Sequence, residues 1–172
     1  IIMGTFSKSL ASLGGYMAAS KEVVDFVKHT SRPFIFSAAI TPANAMTALE
    51  ALRMLREDSS RPKKLLDIAH YMRSKLKQFN LPIGSDSIVP IIPIYTYSRL
   101  RTLIAVKMLF ERGVYVNPVL PPAAPEGECL IRTSYMATHT YELLDEASTI
   151  IDDVLSTLPM DDEKLMELLN DE

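Results

Sequence analysis

From about residue 59 onward the apolar residues switch repeatedly between two periods, and this alternation narrows the possible folds more than any other feature of the chain. Leu65, Ile68, Ala69, Met72, Leu76 and Phe79 fall at i, i+3, i+4 and i+7 intervals, which predicts a helix with one packed face and one wet face rich in lysine and arginine. Ile88 to Tyr95 is an extended apolar run broken by Pro90 and Pro93. A proline cannot donate to a strand ladder, so an edge or irregular strand is expected there. Arg101 to Arg112 is helical in pattern and closes at Gly113. Val114 to Val116 and Cys129 to Tyr135 read as strands around a stiff loop, Leu120-Pro-Pro-Ala-Ala-Pro125. Thr140 can cap a last helix whose stripe is Leu143, Ala147, Ile150, Ile151, Val154 and Leu158. The order helix, strand, helix, strand, strand, helix predicts a small α/β domain over residues 59–159.

Ser59-Ser60-Arg61-Pro62 separates this domain from residues 1–58, because serine and proline interrupt two periodic segments there. Upstream, Gly14 to Ala19 reads as a short strand, Glu22 to Lys28 as a short helix, and Pro33 to Phe36 as extended. Thr41-Pro42 opens a long helix that runs to about Asp58, with Ala45, Ala48, Leu49, Leu52 and Leu55 at helical spacing. Ile1-Ile2-Met3 reads as the end of a buried strand with nothing before it to pack against, so the expectation is a piece of a longer protein.

Composition excludes several function classes. The net charge of −3 is uneven: residues 160–172 hold six acids and one lysine, −5 in all, leaving +2 on the rest. No block is basic enough for a nucleic-acid surface. The acidic segment reads as a solvated, frayed tail. No apolar run is long enough to span a bilayer, so membrane contact is at most peripheral. One cysteine, Cys129, permits no intrachain disulfide, and no signal segment opens the chain; the expectation is a cytoplasmic protein. His29, His70 and His139 have no metal-ligand spacing, and no metal site is predicted.

The chemistry-bearing stretch is Gly4-Thr-Phe-Ser-Lys8, followed by Gly14-Gly15. Taken alone, a lysine in a polar turn is usually a solvated surface residue. A phosphate-binding P-loop is excluded, since Ser7 rather than glycine precedes the lysine. The combination does suit pyridoxal phosphate: Thr5 and Ser7 offer hydroxyls for a phosphate, Lys8 an amine for an aldehyde, and the glycines a close backbone approach. On the second half of the chain, Arg132 shares a strand face with Leu130 and Ser134, where its fork can grip a carboxylate through two parallel hydrogen bonds.

Three ordered segments resemble the α-oxoamine synthases, pyridoxal-phosphate enzymes that join an amino acid to an acyl-CoA. These are Gly4 to Ser20, Phe34 to Pro42, and Gly113 to Pro125 leading to Leu130-Ile-Arg-Thr-Ser-Tyr-Met-Ala-Thr-His-Thr140. The resemblance covers residues 1–158. It implies the C-terminal part of a fold-type I, aspartate-aminotransferase-like transferase: the end of the large domain with the interdomain helix (1–58), the small domain (59–159) and the tail (160–172). It also implies that Lys8 holds the cofactor and later takes the α-proton, that Thr5 and Ser7 bind its phosphate, and that Arg132 binds the substrate carboxylate. Ser37 and Ala38, placed at the start of the long helix, would lie where a partner subunit reaches the phosphate, in a homodimer with shared sites. For Ser37 the residues alone favour an ordinary turn hydroxyl.

Gly-Thr-Phe-Ser-Lys and Leu-Pro-Pro-Ala-Ala-Pro look most like the members that condense L-serine with a long-chain acyl-CoA, losing carbon dioxide, in sphingolipid synthesis. Two positions depart from that pattern: Ala124 replaces a threonine, and Leu120 stands where some bacterial members carry a carboxylate-holding arginine. Members using other amino acids and acyl groups are the alternative. The family's cofactor-stacking aromatic ring and ring-nitrogen aspartate lie upstream of anything in this chain, so the chain is expected to be inactive alone. A non-catalytic interaction module built from the same fold is the other alternative.

Overall fold

The computed structural model describes residues 1–84 and 86–170 and divides the chain into two units, Ile1–Ser59 and Ser60–Glu172. Asp171 and Glu172, the end of the expected acidic tail, lie outside the described residues.

The first unit opens with an antiparallel hairpin, β1 (Ile2–Thr5) and β2 (Gly15–Ala18), in the register Ile2 to Ala18 through Thr5 to Gly15. Three helices follow: α1 (Lys21–Thr30), α2 (Arg32–Ile35) and α3 (Pro42–Glu57). Helix α3 begins as its sequence requires, with Pro42 at its first position and Thr41 Oγ1 accepting from Asn44 N–H at 3.3 Å.

Three expectations fail in this unit. Pro33 to Phe36 is not extended, because Pro33 sits in the first turn of α2, where a missing N–H breaks no bond. Ile2 and Met3 open β1 with Ile1 just before it, and the three are not buried: Ile1, Ile2 and Met3 are 86, 65 and 72 % exposed. Of the α3 stripe only Ala48 is buried, while Leu49 and Leu52 stay 41 and 45 % exposed. The periodicity fixed the helix; a two-stranded hairpin and three helices do not supply enough surface to cover it.

The second unit is a three-stranded antiparallel sheet in the order β3-β5-β4, comprising β3 (Ile91–Tyr97), β4 (Asn117–Val119) and β5 (Cys129–Ser134). Helices α4 (Ser60–Gln78), α5 (Arg99–Glu111) and α6 (Tyr141–Thr157) pack with it around one core. Ile68, Met72 and Leu76 from α4 meet Ile92, Ile94, Ile131, Leu109, Ile151 and Val154 there, all at most 2 % exposed. Strand β3 is an edge, as its prolines required, and the Pro82–Gly84 backbone hydrogen-bonds along its outer side at Pro93 and Tyr95.

Several expectations are corrected here too. Helix α4 already begins at Ser60, so Pro62 lies within its first turn instead of in a linker. The strand expected at Val114–Val116 is β4, three residues later. Arg73, expected on the wet face of α4, is 9 % exposed and donates to the Gly84 and Ser87 carbonyls at 3.2 and 2.8 Å. On α6, Leu143 is 56 % exposed and Leu144 and Leu155 take its place inside. The acidic segment is not a frayed tail: Asp162–Asn170 forms α7, which packs on α5 and buries Leu165 completely. Asp162, Glu163 and Glu167 are exposed while Leu165 joins the core.

Among the described residues, polar side chains in and around the core find partners, with Arg101 Nε the exception. Arg101, 6 % exposed, donates through Nη2 to the Leu155 carbonyl at 2.7 Å, placing a cation at the C-terminal end of α6. Burial pulls its guanidinium below the ordinary arginine range. Between α4 and α6, Asp145 accepts from Tyr71 at 2.6 Å and pairs with Lys75 at 2.8 Å, which together hold its carboxyl below the usual range.

Candidate active site

Lys8 lies in the loop that joins β1 to β2. That loop is fixed by its own backbone: Phe6 N–H donates to Gly14 O at 2.9 Å, Ser12 N–H to Phe6 O at 3.0 Å, and Ala11 N–H to Lys8 O at 3.1 Å. Gly14 adopts φ +106°, and a Cβ on Gly15 would lie 2.6 Å from the Gly4 carbonyl oxygen. The glycine pair thus serves the hairpin crossing itself. Around this loop the Phe6 and Tyr16 rings stack with centroids 6.0 Å apart.

Thr5, Ser7 and Lys8 are all exposed on this one turn, and Ser7 Oγ donates to Thr5 Oγ1 at 3.4 Å. Two adjacent hydroxyls and one amine on a braced turn fit the donor set that pyridoxal phosphate needs, a pair of phosphate donors beside an aldehyde-reactive amine. Ser37 is placed differently from expectation. The long helix starts at Pro42, capped by Thr41, while Ser37 lies in the turn after α2 with its hydroxyl donating to the Pro33 carbonyl. Its hydrogen is already committed, and Ala38 follows directly after it, exposed.

Arg132 stands on the exposed face of β5, where burial alternates strictly: Cys129, Ile131 and Thr133 are buried, and Arg132 and Ser134 are exposed. It lines a cavity of about 500 Å³ with Asn117, Tyr115 and His139 at its polar wall and Met72, Leu144 and Ile151 at its apolar floor. Tyr135 closes one side with its hydroxyl on Thr133 Oγ1 at 2.8 Å, and burial pushes that hydroxyl up to about 12. The Tyr135 phenol therefore stays neutral at any physiological pH. Arg132 Nη2 donates to Asn117 Oδ1 at 3.3 Å. Asn117 was not picked out from the sequence, since the strand carrying it was expected three residues earlier; its register opposite Arg132 is the signal that was missed.

Lys8 and Arg132 belong to different units. Among the described residues, no three histidine, cysteine, aspartate or glutamate side chains gather as metal ligands. No helix among them is long and apolar enough to cross a membrane.

The profile described as "Aminotransferase class I and II" matches residues 1–151. The chain belongs to that family. Curated relatives include serine palmitoyltransferases of Bacteroides ovatus and Sphingobacterium spiritivorum, 40 and 43 % identical over 147 residues, or 86 % of this chain. An 8-amino-7-oxononanoate synthase of Thermosipho melanesiensis is 39 % identical over the same length. The chain spans 37 % of the length of each. A solved serine palmitoyltransferase, carrying PLP as its internal aldimine, matches with a TM-score of 0.80 at 26 % identity, over 91 % of this chain and 40 % of that one. The Sphingomonas wittichii serine palmitoyltransferase matches with a TM-score of 0.79 at 25 % identity over the same shares. The fold is therefore that of the fold-type I, aminotransferase-like enzymes, as the three motifs implied.

Proposed function

We propose that these residues supply the lysine turn and the carboxylate-gripping strand of a pyridoxal-phosphate-dependent acyltransferase that condenses L-serine with a long-chain acyl-CoA and releases carbon dioxide. The observation that carries this reading is the braced turn that sets Thr5, Ser7 and Lys8 side by side. The serine palmitoyltransferase relatives, at about 40 % identity, favour the choice of substrates.

In this reading the Thr5 and Ser7 hydroxyls donate to the cofactor phosphate, and the Lys8 Nζ anchors the cofactor and then takes the proton from the substrate α-carbon. Pyridoxal phosphate, when bound, supplies an electron-withdrawing ring that stabilises negative charge at that carbon. The Arg132 guanidinium pairs with the substrate carboxylate through two parallel bonds. Residues 1–58 serve as the end of the cofactor domain, residues 59–159 as the small domain, and residues 160–172 as an appended acidic segment. Ser37 and Ala38 face a second subunit in a homodimer. The whole protein is a cytoplasmic enzyme of sphingolipid synthesis, and the 172-residue chain by itself does not turn over.

The native gene product carrying this sequence provides the test. Release of CoA from palmitoyl-CoA should require L-serine, and Lys8→Ala should abolish both turnover and the lysine–cofactor absorbance band. Retention of both in Lys8→Ala would overturn the assignment. Turnover with L-alanine and pimeloyl-CoA in place of L-serine and palmitoyl-CoA would support the second reading, an 8-amino-7-oxononanoate synthase, which the 39 % identical relative favours.

A further inference from the structure

Resting on the reading that Arg132 receives a substrate carboxylate, we propose that Asn117 is the positioning residue that sets its guanidinium, and that Tyr115 in turn sets Asn117. Asn117 and Arg132 are Cα partners across the antiparallel β4–β5 pair, so their side chains stand on the same face. Pro118 follows Asn117 and holds it to extended backbone, which keeps that register.

The orientation of the amide follows from chemistry. A guanidinium has only donors, so Asn117 must turn Oδ1 toward Arg132 Nη2, at 3.3 Å, and its NH2 away. On that other side the Tyr115 hydroxyl accepts from Nδ2, also at 3.3 Å. A tyrosine, an amide and a guanidinium thus form a directed chain along the wall of the 500 Å³ cavity.

The neutrality of the amide matters as much as its placement. Among the described residues no carboxylate pairs with Arg132. An aspartate at position 117 would hold the guanidinium equally well but would occupy its charge. Asparagine orders the fork and leaves both its positive charge and its remaining donors for an incoming anion.

The experiment follows the Arg132 side-chain nitrogens by NMR in the native gene product carrying this sequence, first alone and then titrated with L-serine or with serinol, which lacks the carboxylate. In Asn117→Ala the guanidinium should rotate faster before any ligand is added, and L-serine should bind about three- to ten-fold more weakly, the loss of one hydrogen bond's worth of ordering. Asn117→Asp should keep the fork ordered yet lose carboxylate binding. Tyr115→Phe should weaken binding by about two-fold. A merely structural asparagine would move the melting point and leave these readouts alone. Unchanged guanidinium motion and unchanged serine affinity in Asn117→Ala would overturn the inference while leaving the Arg132 reading intact. Equal binding of L-serine and serinol by the unmodified chain would overturn the Arg132 reading, and the inference with it.

Discussion

The two units differ most in where their apolar residues go. In the first, Ala48 is the one buried residue among the described ones, and Met3, Phe26, Phe34, Phe36 and Met46 are more than half exposed. In the second, side chains from α4, α5, α6, α7 and the sheet close a core whose larger members are fully buried. The amine proposed to do the chemistry sits on the unit with almost no core, and the guanidinium proposed to orient the substrate sits on the unit with a full one. The β1–β2 turn is braced by backbone hydrogen bonds, while Arg132 is aimed by the core beneath its strand.

The largest effects should fall in the second unit. Ile131→Ala, at a position with no exposure, is expected to lower unfolding stability by about 2–5 kcal/mol. Leu52→Ala, at a comparable aliphatic position on α3, should cost under about 1 kcal/mol because the side chain is 45 % exposed. Urea denaturation of both variants checks the pair, and equal costs would break the contrast.

Next in size is Gly15→Ala, whose new methyl would meet the Gly4 carbonyl oxygen at 2.6 Å. Opening the hairpin should cost roughly 1–3 kcal/mol. Amide exchange would show the loss at Phe6 and Ser12 and leave Ile92 and Ile131 protected; a uniform loss would mean the units unfold as one. Arg101→Met should cost about 1–3 kcal/mol by leaving the Leu155 carbonyl unpaired, and it should accelerate exchange in the last turn of α6 specifically.

The smallest effect is a pH dependence of the second unit. Asp145 is held below its ordinary range by the bonds from Lys75 and Tyr71. A carboxyl whose folded-state value is depressed contributes stability above its unfolded value, and that contribution is lost as the pH falls through the folded one. The melting point of the second unit should therefore drop on acidification below about pH 4. Asp145→Asn should flatten that part of the profile, and an unchanged slope would remove Asp145 from its cause.

The sequence by itself determined the elements whose signal is local. The periodic stripe from Ile68 to Leu76, the Thr41 and Thr140 caps and the alternation along Cys129–Ser134 all appear in the structure, because spacing and capping are settled within a few residues. The three motifs likewise sufficed for the family. Only the tertiary structure decided which faces are covered and which polar groups meet. Arg73 and Arg101 are buried because carbonyls from distant segments receive them, Leu165 turns an acidic tail into a packed helix, and Asn117 meets Arg132 because β4 starts three residues later than its apolar pattern suggests. Those contacts join residues 11 to 57 positions apart, and no local spacing carries their register.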